Sequence, residues 1–68
     1  MTNQEIIELA KNKGFEAKLI NGYGYTTKVL ISLTGRKPNI SEVSFELDLP
    51  SSYFYPHHKG VTIYGSDN

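Results

Sequence analysis

The chain has 68 residues, seven basic and seven acidic, for a formal charge of zero, and it contains no cysteine. A chain this short makes one domain at most and buries only about 60% of the surface its unfolded form exposes, so a partner surface is an expected supplement to its core. Disulfide scaffolds and cysteine-ligated zinc sites are excluded, and overall charge points neither to a nucleic-acid partner nor to an acidic mimic.

The amino terminus, Thr2-Asn3-Gln4-Glu5, is polar and acidic, so it does not read as a secretion signal. No apolar run approaches the roughly 20 residues that span a bilayer. The cytoplasm is the expected location, with no membrane contact. Thr2 and Glu5 match a capping box, and Ile6, Ile7, Leu9 and Ala10 then follow helical spacing. Lys11 and Lys13 suit the negative end of the helix dipole. Gly14 is placed to end the helix in a left-handed cap, with Phe15 folding back onto it.

Phe15 to Asn21 reads as a first strand, with Phe15, Ala17 and Leu19 on one face and Glu16, Lys18 and Ile20 on the other. Asn21-Gly22 predicts a tight hairpin turn. Tyr25 to Leu33 reads as the second strand, with Thr27, Val29, Ile31 and Leu33 inward, followed by a polar loop over residues 34–39.

Glu42 to Leu49 alternates with a period of two and predicts a third strand, with Val43, Phe45, Leu47 and Leu49 inward. Pairing Ile31 with Phe45 and Val29 with Leu47 would bring Lys28 opposite Asp48 and place Phe45 in the core. That register would also neutralise an uneven charge distribution, because Leu9 to Ser41 is net basic and Glu42 to His58 is net acidic. Ser51 to Gly60 then reads as an aromatic loop, Val61 to Tyr64 as a short fourth strand, and residues 66–68 as a frayed tail. The expected fold is α+β: one domain over residues 1–65, with an N-terminal helix packed on one face of a three- or four-stranded antiparallel sheet.

Three groups of residues stand out for function. Three consecutive aromatics, Tyr53, Phe54 and Tyr55, cannot all point inward from an extended segment. With Ile20 and Leu30 on the outer sheet face they form a candidate surface for a protein partner or self-association. Tyr23 and Tyr25 beside Lys18 and Lys28, with Arg36 and Lys37, form a candidate surface for RNA or single-stranded nucleic acid. His57 and His58 are the only histidines, and neighbours on an extended segment point to opposite sides, which makes them a poor chelating or acid–base pair. No catalytic constellation, metal site or cofactor site is therefore expected, and a non-enzymatic adaptor, inhibitor or accessory subunit is the leading reading.

The stretch from Glu5 to Phe15, followed by a strand ending at Gly22, resembles the opening of HicA-type toxins, small ribonucleases with a double-stranded-RNA-binding-like α-β-β-β-α fold. The resemblance covers a third of the chain and implies an α-β-β-β order. That family carries its catalytic histidine just after the glycine that opens the second strand, where this chain has Tyr23, Gly24 and Tyr25. Its C-terminal helix has no counterpart in the short, β-like segment from Val61 onward. A ribonuclease would have to use His57 or His58 instead, and this stands as the third reading.

Overall fold

A computed structural model describes residues 1–68. The first helix, α1 (Asn3–Asn12), forms as its end signals require. The Thr2 hydroxyl accepts from the Glu5 amide at 3.2 Å, and the Glu5 carboxylate accepts from the Thr2 amide at 2.8 Å. At the other end Gly14 takes φ +91°, the Gly14 amide donates to Lys11 O at 3.1 Å and the Phe15 amide to Ala10 O at 3.0 Å. These two bonds are the Schellman closure, and they seat Phe15 in the core.

Strands β1 (Glu16–Asn21) and β2 (Thr27–Ser32) pair antiparallel, with Ala17 opposite Ile31 and Ile20 opposite Lys28. The reversal lies later than expected. Asn21 still pairs with Thr27 and the Gly22 amide donates to Thr26 O at 2.9 Å, so the turn is Tyr23-Gly24-Tyr25, with Gly24 at φ +63°.

The expected third strand is a helix, α2 (Ile40–Leu47). Asn39 caps it, its side-chain oxygen accepting from the Glu42 amide at 2.8 Å. Ile40, Val43 and Leu47 share one helical face toward the core, and Phe45 falls on the opposite face, 82% exposed. Val43 and Leu47 satisfy a period of two and a period of 3.6 equally well, which is why alternation alone misplaced Phe45. The expected pairings of Ile31 with Phe45, Val29 with Leu47 and Lys28 with Asp48 therefore do not form. Asp48 closes the helix in the left-handed region at φ +55°, and the Leu49 amide donates to Ser44 O at 3.1 Å.

A short 3-10 turn (Ser51–Tyr53) leads into β3 (Phe54–His57), within the segment expected as a loop, and β4 (Gly60–Ile63) follows. The sheet order is β1-β2-β4-β3, every neighbouring pair antiparallel. The short fourth strand is thus central in the sheet. Because β4 runs against both β2 and β3, those two run the same way, and α2 is the crossover of a split β-α-β unit.

Register sorts the residues into two faces. Val29, Ile63 and Phe54 form one row and Ile31 and Val61 the next, all buried beneath both helices with Ile6, Ala10, Val43 and Leu47. Lys18, Leu30, Thr62 and Tyr55 form a row on the other face, which no helix covers. The domain is α+β, with an N-terminal helix packed on a four-stranded antiparallel sheet. Residues at the carboxyl terminus hydrogen-bond to α1 and β2. The Gly65 amide donates to the Asn3 side-chain oxygen at 2.8 Å, the Asn3 amide to Asp67 at 3.0 Å, and the Thr27 amide to Asn68 at 3.0 Å. No helix is long and apolar enough to cross a membrane.

Candidate binding surface

Alternation along β3 sends Phe54 inward and leaves Tyr55 outside, 54% exposed, while Tyr53, in the 3-10 turn before the strand, is 55% exposed. These two tyrosines, with Met1, Ile6, Leu49 and Tyr64, line an open apolar cleft of about 410 Å³. The cleft lies where the start of α1, the segment after α2 and the strands β3 and β4 meet. Tyr64 extends it across the helix-free face. Its ring meets Tyr55 edge-on at 6.3 Å, its hydroxyl accepts from the Tyr23 amide at 3.0 Å, and the Lys28 ammonium lies 5.8 Å from its centroid. Gly22 makes this possible, because a Cβ there would stand 2.7 Å from the Tyr64 ring.

The expected apolar surface is only partly assembled. Tyr53 and Tyr55 come together at the cleft. Phe54 and Leu30 do not join them, being 4% and 3% exposed. Phe54 faces the helices because residues 54–57 form a true strand. Leu30 lies on the helix-free face, but it sits mid-sheet with Lys18 and Thr62 on either side, and its neighbours cover it. Ile20 is half-buried on the edge strand β1, away from the tyrosines.

The basic residues divide into two groups. Lys18 and Lys28 share the helix-free face on neighbouring strands, and neither pairs with a carboxylate. Tyr23 and Tyr25 stand fully exposed on the turn beside them. Arg36 and Lys37 sit apart, on the loop into α2. Arg36 forms a two-pronged ion pair with Glu42, which raises the guanidinium's proton affinity and holds the carboxylate below its ordinary range. Lys37 lines a polar hollow of about 530 Å³ with Asn39, Ser41 and Pro56.

His57 and His58 stack, with centroids 4.3 Å apart and planes at 26°, rather than pointing to opposite sides as expected, because β3 ends at His57 and His58 already lies in the turn. The His57 Nδ1 accepts from the Lys59 amide at 3.1 Å. Partial burial, then the nearby positive charges of His58, Lys28, Lys59 and Lys37, lower the proton affinity of His57. No hydroxyl or carboxylate hydrogen-bonds either ring, so no nucleophile–base or base–orienter pair is assembled here.

Met1, Leu49 and Tyr64 were not singled out by sequence reasoning. Tyr64 had a readable signal, since it continues the alternation of β4 just past the strand end. Met1 and Leu49 had none, because chain closure alone brings them to the tyrosines. The element order, with α2 ahead of the last two strands, also departs from the α-β-β-β-α order of HicA-type toxins. No family model, curated protein or solved structure matches this chain.

Proposed function

We propose that this chain is a small, non-enzymatic cytoplasmic binding module that grips an apolar side chain of a protein partner in the cleft between Tyr53 and Tyr55. The observation that carries this reading is the cleft itself: two half-exposed tyrosines beside Leu49 and Met1 around about 410 Å³ that no other part of the chain fills. That volume lies within the range of ligand pockets. Tyrosine offers large contact area at low entropic cost, with a hydroxyl left for the polar rim. The test is selection of a random peptide library on the immobilised protein. Enriched peptides should carry a large apolar anchor and lose about tenfold or more in affinity to Tyr53→Ala with Leu49→Ser, while Lys18→Ala with Lys28→Ala leaves binding unchanged. Recovery of no anchor-bearing peptide, or equal binding to the cleft variant, would refute the reading.

A second reading, RNA or single-stranded nucleic acid, is favoured by one observation: Lys18 and Lys28 lack carboxylate partners and flank exposed tyrosines on a face without helices. A uridine oligonucleotide should then bind with an affinity that falls steeply with salt and depends on Lys18 and Lys28.

A further inference from the structure

We propose that two copies of this chain pair edge to edge through β1, antiparallel about a two-fold axis at Ala17, to make one continuous eight-stranded sheet. The inference is independent of the tyrosine cleft, which lies on the β3 and β4 side of the molecule. β1 is an edge of the sheet, six residues long, with no proline and no bulge. The opposite edge, β3, carries Pro56, which cannot donate to a further strand. Only β1 is left open to continued pairing.

Backbone geometry limits how a second copy can dock. The bond from the Gly22 amide to Thr26 O puts the even-numbered residues of β1 in hydrogen-bonded positions toward β2. Ala17 and Leu19 therefore aim their N–H and C=O groups at the open edge. A two-fold antiparallel pairing must join odd residues to odd residues, and the registers that overlap at least three residues of β1 in each copy are those centred on Ala17, Lys18, Leu19 or Ile20.

Charge selects among them. Centred on Lys18, the pairing opposes two lysines; centred on Leu19 it opposes Lys18 to Ile20, and centred on Ile20 it opposes Lys18 to Gly22, so neither forms a charge pair. Centred on Ala17, it opposes Glu16 of each copy to Lys18 of the other, twice, in the non-hydrogen-bonded positions where cross-strand side chains come closest. The same register opposes Leu19, half-exposed on the helix side, to Phe15 of the second copy. The ladder ends there because the Phe15 amide is already committed to Ala10 O at 3.0 Å. Glu16 is held toward its own sheet by the Thr34 hydroxyl at 3.2 Å and remains exposed.

Charge reversal tests both the edge and the register. Sedimentation equilibrium of the full chain at low salt should show a monomer–dimer equilibrium. Glu16→Lys alone and Lys18→Glu alone should each weaken the dimer by about tenfold or more, because two attractive pairs become repulsive. An equimolar mixture of the two variants should regain the parent's affinity as a heterodimer, and so should the double variant. Circular dichroism of each variant checks that the exposed substitutions leave the fold in place. A parent that stays monomeric, a dimer indifferent to both reversals, or a mixture that fails to recover would overturn the proposal.

Discussion

Gly60 shows how a single residue can set strand packing. A Cβ at this position would run into the Ile31 carbonyl oxygen, a backbone atom of a central strand that has no room to move. Gly24, at φ +63° on the exposed turn, is the opposite case: an added Cβ would meet nothing within 4 Å, and only the left-handed backbone penalises a side chain. Gly60→Ala should therefore cost about 2–3 kcal/mol by forcing β4 from β2, and Gly24→Ala about 1 kcal/mol. Urea denaturation of the two variants measures the difference. Equal midpoints would mean that β2 and β4 do not approach as closely as the register requires. Neither spacing nor composition marks Gly60 as the tighter site, since the distinction depends on a strand far away in sequence.

Among the elements, α2 is the informative one. Its start was legible: Pro38 precedes Asn39, a good capping residue, and Glu42 stands three positions on. Those signals compete with a clean alternation from Glu42 to Leu49. The cap prevails because it satisfies amides locally, while Ile40, Val43 and Leu47 still bury a full apolar stripe. Leu47→Ala should cost about 2–4 kcal/mol, and Phe45→Ala less than about 0.5 kcal/mol. A strand would make the two losses comparable. Thermal unfolding of both variants decides, and a large loss at Phe45 would restore the strand.

At the scale of the whole molecule, charge is segregated by layer. The acidic residues Glu42, Glu46 and Asp48 belong to α2 and its cap, whereas Lys18 and Lys28 lie on the face away from it, so the expected cross-strand neutralisation is absent. His57 sets the pH dependence near neutrality. His57 is harder to protonate in the folded chain than its ordinary 6.5, through partial burial and then neighbouring positive charge. Unfolding therefore takes up a proton as pH falls below that value, so this contribution is complete above it and is lost progressively on acidification. The melting temperature should fall as pH drops from about 7.5 to 5.5, and His57→Gln should flatten that slope. Glu5 and Glu42 lie below their ordinary 4.5, so their contributions persist through this window and are lost only at more acidic pH. An unchanged slope in His57→Gln would remove the histidine from this account.

Local chemistry was sufficient for α1 and the Gly14 closure, because each is held by residues within a few positions of one another, whereas the β1–β2 hairpin was legible as a pairing but not in the place of its turn. The α+β class followed from those elements together with the period-two patterning of β2. The capping residues of α2 were equally local, but two periodicities shared Val43 and Leu47, and only a core beneath one face of the segment separated them. The candidate surface divides along the same line. That Tyr53, Phe54 and Tyr55 could not all be buried was legible, because adjacent residues on an extended chain must face apart, but which of them face outward was not. The burial of Phe54 and Leu30, the cleft shared with Met1, Leu49 and Tyr64, and the open edge of β1 were decided by tertiary structure. Each depends on β4 inserting between β2 and β3, a pairing of distant segments that no local pattern encodes.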